Sequence, residues 1–183
     1  MIYVALLRGV NVGGKNKIDM KALKETFIRV GMQSVLTYIN SGNIIFIDGR
    51  HRKTEITEIL ENAIYEDFRL KIKVLILNMD DFEAMMSILP ESWSNDSNMK
   101  GDVLFLWDEI DRDKACTQLV IKPDIDKVLL FPGGILWAVD RENVSRSGAM
   151  KLVGTDLYRK MTIRNVNTSR KIYEIMKELL NLQ

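Results

Sequence analysis

Between Ile2 and Leu77, short apolar runs alternate with two stretches of helical periodicity, and their order leaves few folds open. "IYVALLR" (2–8) is almost unbroken in apolar residues, the pattern of a strand covered on both faces. In the next stretch Leu23, Phe27 and Val30 recur at helical spacing, with Asp19 placed to cap the start and Gly31 to end it. "SVLTYI" and "IIFID" are β-rich, and the intervening "NSGN" has hairpin-turn chemistry. "KTEITEILENAIYEDF" places Ile56, Ile59, Leu60, Ala63 and Ile64 at helical spacing with acids opposite, and "KIKVLIL" (71–77) is a further strand. The sequence therefore predicts β-α-β-β-α-β, the ferredoxin-like arrangement.

The second half repeats this order less cleanly. A short helix (80–89) stops at Pro90, and a polar stretch, "ESWSNDSNMKGD", leads to "VLFLW". "RDKACTQL" has helical character, "KVLLF", "PGG" and "ILWAV" form a hairpin, and "SGAMKLVGTDLYRK" and "TSRKIYEIMKELL" read as helices flanking a strand, "MTIRN". The expectation is an α+β protein of two ferredoxin-like halves packed together, with an extra C-terminal helix. The expected division is 1–89, a linker at 90–101, and 102–183.

Composition narrows the function. Of 183 residues, 46% are apolar and 28% charged, as in an ordinary folded protein. No apolar run approaches the ~20 residues of a membrane helix, and "MIYVALL" lacks a basic leader. The single cysteine, Cys116, rules out an internal disulfide, fits a reducing compartment and reads as a small buried hydrophobe. These features point to the cytoplasm and to no membrane partner. The single histidine, His51 in "GRHRK", reads as a solvated loop residue with no carboxylate to orient it. A His-based triad or a metal cluster is therefore not expected. Residues 80–126 carry twelve acids against four Lys/Arg, whereas residues 1–31 carry six Lys/Arg against two acids. Local basic sites thus sit inside a near-neutral chain.

The candidate chemistry lies in loops. "RGVNVGGKNK" (8–17) holds paired glycines, two asparagines and several cations with no acid. Gly9 to Lys15 fits G-x-x-x-x-G-K, but Asn16 stands where a phosphate loop needs Ser or Thr for magnesium, and "NKI" separates the lysine from the expected helix start. The weaker expectation is an anion-binding concavity of backbone N–H groups, with Lys15 and Lys17 adding charge and the following helix a positive end. The alternative is a plain turn using Gly and Asn for positive φ. "YINSGN" and "TIRNVNTSR" are equally two-sided. They are either structural turns, with Asn167 or Thr168 capping the last helix, or further contributors of polar groups to a ligand.

"LLRGVNVGGKNKIDM", "TYINSGNIIF" and "TIRNVNTSRKI", in this order and spacing, resemble a bacterial family catalogued as a domain of unknown function, number sixteen-ninety-seven. The resemblance spans essentially the whole chain. It implies an α+β protein with ferredoxin-like subdomains and supplies no activity, cofactor or catalytic residue. Family members usually carry an aromatic where Val166 stands here.

The leading functional expectation is binding of a phosphorylated or other anionic small molecule. Its candidate residues are Arg8, Asn11, Gly13, Gly14, Lys15, Asn16, Lys17, Asn40, Ser41, Asn43, Arg164 and Asn165, with the arginines supplying bidentate charge. Amides do not shuttle protons, so the set favours positioning over acid–base work, and no metal ligand or cofactor is assigned. The alternatives are backbone binding of nucleic acid by the basic loops and a non-catalytic scaffold. Against nucleic acid, "GNIIFIDGR" lacks the aromatic strand motif of ferredoxin-like RNA binders.

Overall fold

The computed structural model describes residues 1–182. The chain divides into two compact units, Met1–Met79 together with the stretch from Ile172, and Asp80–Lys171.

In the first unit, β1 (Ile2–Leu7) is central and pairs antiparallel with β3 (Asn43–Ile47) and β4 (Val74–Asn78), while β2 (Gln33–Tyr38) closes the edge beside β3, giving the order β2-β3-β1-β4. Every residue of β1 is buried, as its unbroken apolar run requires. Helices α1 (Met20–Arg29) and α2 (Lys53–Phe68) supply Leu23, Phe27, Ile56, Leu60 and Ile64 to a core shared with Tyr3, Ala5, Leu7, Ile44 and Phe46. Burying Phe27 stabilises by about 2–3 kcal/mol relative to leaving it in water.

Both ends of α1 are set locally. The Asp19 carboxylate accepts from the Ala22 N–H at 2.8 Å. At the far end the Gly31 N–H donates to the Ile28 carbonyl (3.0 Å) and the Met32 N–H to that of Phe27 (3.1 Å), a Schellman closure with Met32 buried. The Glu55 carboxylate reaches back to the Arg52 N–H (2.7 Å) at the start of α2.

The second unit repeats the topology. It opens with α3 (Met79–Met86), whose Phe82 and Met85 are buried. Next, β5 (Met99–Leu106) is central between β7 (Gly134–Asp140) and β8 (Met161–Asn165), with β6 (Asp126–Phe131) at the edge, in the order β6-β7-β5-β8. Mapping β5 to β8 onto β1 to β4 reproduces the first sheet strand for strand. The chain is thus α+β with two ferredoxin-like halves, ending in the C-terminal helix α6 (Val166–Asn181). The β6–β7 turn is Pro132–Gly133, with Gly133 at φ 90°, the residues a type II turn takes at its two central positions.

Two sequence expectations differ from the structure here. The helix expected in "RDKACTQL" is present as α4 (Arg112–Thr117), whereas the stretch expected to be helical from Ser147 is a 3-10 turn, Gly148–Lys151, followed by the single-turn α5 (Asp156–Arg159), with another 3-10 turn, Arg141–Arg146, before it. Ser147, Gly148 and Gly154 interrupt the periodicity before a longer helix can form. In addition, β5 begins at Met99, inside the polar stretch expected to be a linker. What precedes it is pinned: the Arg170 guanidinium donates to the carbonyls of Pro90 (2.7 Å) and Trp93 (2.5 Å), and Asn167 exchanges bonds with the Asn95 backbone (3.0 and 3.1 Å). No helix among the described residues is long and apolar enough to cross a membrane.

Candidate functional site

The Arg8–Lys17 loop is a miniature hairpin. Val12 and Lys15 form an isolated antiparallel bridge, the Lys15 N–H donates to the Val12 carbonyl (3.1 Å), and the Asn11 N–H donates to that of Asn16 (3.1 Å). Gly13 (φ 58°) and Gly14 (φ 74°) occupy the tip, both left-handed, as the central residues of a primed hairpin turn must be. The sequence Val-Gly-Gly-Lys therefore carries the information for a tight reversal, and Lys15 sits on that reversal rather than at a helix start. Val12, Gly13, Gly14, Lys15, Asn16 and Lys17 are all exposed.

Asn11 fixes this hairpin to the rest of the unit. Its side-chain amide donates to the carbonyls of Ile18 (2.9 Å) and Asn40 (2.9 Å), and its Oδ1 accepts from the Ile18 N–H (2.9 Å). Both of its amide donors are engaged by backbone carbonyls, so two loops 29 residues apart are clipped together by one side chain. Asn16 donates from its side chain to the Gly9 carbonyl (3.0 Å). Asn43, fully buried, donates to the Tyr38 carbonyl (3.0 Å) and the Ser41 hydroxyl (3.0 Å), fixing the Ile39–Gly42 turn. Arg8 is half-buried at the end of β1, where its N–H donates to the Lys73 carbonyl (3.0 Å).

Removing the clip has a defined cost. Asn11→Ala strips partners from the Ile18 N–H and from two carbonyls, and is expected to cost about 1–3 kcal/mol in a urea titration. Asn11→Asp keeps the acceptor but turns an anionic oxygen toward two carbonyls, and is expected to cost at least as much as alanine. A change below about 0.5 kcal/mol for alanine would show that the clip is not needed.

Beside the hairpin lies a cleft of about 440 Å³ lined by Asn11, Gly14, Lys17, Asp19, Met20 and Asn40, among others. It brings Asn11, Gly14, Lys17 and Asn40 from the sequence-predicted set to one mouth, at the first residues of α1. Asp19 shares that mouth, so the helix end already carries a carboxylate, and the positive charge comes from the exposed lysines.

The remaining predicted residues, Arg164 and Asn165, are on β8 in the second unit. Arg164 is 8% exposed, and its guanidinium donates to the Thr162 hydroxyl (3.0 Å) and the Ile163 carbonyl (2.8 Å). Burial pulls it down to about 10, leaving it cationic at neutral pH. The Asn165 Oδ1 accepts from the Thr168 N–H (2.8 Å), so Asn165 caps α6, a role expected of Asn167 or Thr168. Strand β8 runs into the helix with no loop between, and the cap is the last strand residue.

Three carboxylates escaped the sequence reading. Asp48 accepts from the Arg50 N–H (2.7 Å), the His51 N–H (2.8 Å) and the His51 ring Nδ1 (2.9 Å). His51 therefore does have an orienting carboxylate, three residues upstream. The Asp-Gly pair in "IDGR" is the turn signal that could have shown it. Burial alone would push the Asp48 carboxyl up, but the His51 amide and ring and the Arg50 amide outweigh it and hold it below the usual range.

Asp126 is buried at the start of β6. Its Oδ1 accepts from the Trp137 indole N–H (3.1 Å) and the Ser147 hydroxyl, and its Oδ2 from the N–H groups of Lys122 (2.9 Å) and Gly148 (3.0 Å). Burial would raise its carboxyl; the Ser147 hydroxyl, the two amides and the indole outweigh it and hold it low. Asp102, on β5, behaves in the opposite way: burial pushes its carboxyl up despite Lys100 nearby. In "KGDVLFL", period two puts Lys100 and Asp102 on the same face as Leu104 and Leu106, a pattern legible in the sequence. Cys116, partly buried, packs at the edge of the second core.

A family model described as a protein of unknown function, DUF1697, matches residues 1–137 of the chain. The chain belongs to the DUF1697 family. A conserved bacterial protein, SP0830 from Streptococcus pneumoniae, has a solved structure similar to this DUF1697 chain: 33% sequence identity, 96% of this chain and 98% of that one covered, TM-score 0.82. No curated protein matches the DUF1697 chain. The similarity to that structure thus extends past the residues that the family model matches.

Proposed function

We propose that the first unit of this DUF1697 protein binds a phosphorylated or otherwise anionic small molecule in the cleft beside the Gly13–Gly14 turn. The observation that carries this reading is the convergence of the two polar loops on one mouth, with Asn11, Gly14, Lys17 and Asn40 lining it. Lys15 and Lys17 supply the charge, and the amides at the hairpin tip supply directional donors. The side-chain amides of Asn11, Asn16 and Asn43 act indirectly by holding the loops in shape. Ser41 and Arg8 flank the same two loops. In the second unit Arg164 and Asn165 are engaged in β8 and the α6 cap. The work of such a site is binding and positioning; its lysines and amides present no oriented acid–base pair.

The test is an ¹⁵N NMR titration with inorganic phosphate and with a nucleotide, at constant ionic strength. Saturable shifts are expected at Gly13, Gly14, Lys15 and Lys17. Lys15→Ala/Lys17→Ala is expected to abolish them while leaving the thermal midpoint unchanged, because both side chains are exposed. At a hundredfold excess over Kd the ligand would stabilise the wild type by about 2.7 kcal/mol. Shifts that never saturate, or that persist in the double variant, would refute the reading.

A further inference from the structure

On the helical face of the second sheet lies a cavity of about 230 Å³, separate from the cleft in the first unit. Its floor is Lys100, Asp102 and Leu104 of β5 with Trp137 of β7, and Leu152 and Tyr158 from the crossover segment close over it. Asp102 and Trp137 are directly opposed across the β5–β7 ladder, so the carboxylate and the indole share one patch of floor. The walls are otherwise apolar. At about 30 Å³ per water-sized group, the space admits roughly eight non-hydrogen atoms.

The Asp102 carboxylate is 23% exposed at the side chain; its ion-pair partner is Lys100, whose Nζ stands 3.5 Å away on a partly exposed side chain, and the Arg141 charge acts on it from farther off. Among the described residues no backbone or indole N–H donates to it, in contrast to Asp126, which collects four donors. A carboxylate set in an apolar, aromatic-walled space with one loose partner gains most from a cation that brings its own apolar body. The indole adds cation–π attraction for the same ligand. Trp137 is already held, because its N–H donates to Asp126 (3.1 Å), so this wall needs no ordering when a ligand arrives. Burial raises the Asp102 carboxyl, and an incoming ammonium would offset that cost.

We propose that this cavity is a binding site for a small apolar amine, its ammonium on the Asp102 carboxylate and its hydrocarbon body between Trp137, Leu152 and Tyr158. Lys100 acts as the resident counterion that the ligand displaces toward solvent.

The test uses the full chain and three probes of one shape: benzylamine, benzyl alcohol and benzoate. Binding is followed by calorimetry and by tryptophan fluorescence. Benzylamine is expected to saturate the site, with the alcohol about tenfold weaker and benzoate weaker still. Asp102→Asn is expected to bring benzylamine down to the level of the alcohol, and Lys100→Met, which removes the competing counterion, to tighten benzylamine binding by about threefold or more. Circular dichroism of each variant separates loss of binding from loss of fold, and the Lys100→Met arm retains the carboxylate if Asp102→Asn does not fold. Equal binding of amine and alcohol would reduce the cavity to a non-selective apolar void. Preference for benzoate, or loss of amine binding in Lys100→Met, would make Lys100 the leading group and overturn the proposal, as would the absence of saturation by any probe.

Discussion

Gly148→Ala is expected to destabilise the second unit by about 3 kcal/mol or more and to lower its thermal midpoint by on the order of 10 °C. A methyl group placed on Gly148 would stand 1.5 Å from the Val120 carbonyl oxygen and 3.1 Å from the Asp126 carboxylate. The nearer obstacle is backbone, so no side-chain rotation relieves it. The 119–122 segment or the 3-10 turn must move, and both are tied to the same carboxylate through the Lys122 and Gly148 N–H groups. All three tryptophans, Trp93, Trp107 and Trp137, lie in the second unit, so fluorescence reports its unfolding apart from that of the first. A loss below about 1 kcal/mol by that readout would mean the close approach relaxes freely.

The second large effect is expected at Asp126. Each of its oxygens takes two donors, so Asp126→Asn cannot be neutral despite its shape. Whichever way the amide is turned, its NH₂ faces groups that also donate, either the two backbone N–H groups or the Trp137 indole and Ser147 hydroxyl. The expected loss is about 2–4 kcal/mol for asparagine, and more for alanine, which leaves every donor unpaired. Because Asp126 and Gly148 share a hydrogen bond, the double variant should lose less than the sum of the single ones.

Acid should reproduce part of this loss. The folded-state carboxyl of Asp126 lies below its ordinary value of about 3.9, so its contribution is fully present above about pH 4 and disappears as pH falls through the lower folded value. Asp48 is held low in the same sense by His51 and Arg50. Asp126→Asn is expected to flatten the acid limb of the tryptophan-monitored stability curve. An unchanged limb would assign it to other carboxylates.

The elements that could be read from the sequence are those whose signals are local. Asp19 and Gly31 bracket α1 within one turn at each end, and Pro132–Gly133 states its own turn. The start of β5 is hidden because Lys100 and Asp102 share the polar composition of the segment before them; only the alternation with Leu104 and Leu106 distinguishes them. The candidate loop shows a different limit. Asparagine has the same amide whether it faces a ligand or a carbonyl, and the partner that decides the matter for Asn11 is the backbone of Asn40. Asp126 announces nothing at all, since its donors come from residues 122, 137, 147 and 148 and meet only in the folded unit.

The division of the chain bears on how it is made. The stretch from Ile172, with Ile172, Met176 and Leu179 buried, is grouped with Met1–Met79, and the whole of Asp80–Lys171 intervenes in synthesis. Residues 80–171 are therefore synthesised before the stretch that joins the first unit. A chain truncated after Lys171 is expected to show a first unit more sensitive to protease than that of the full chain.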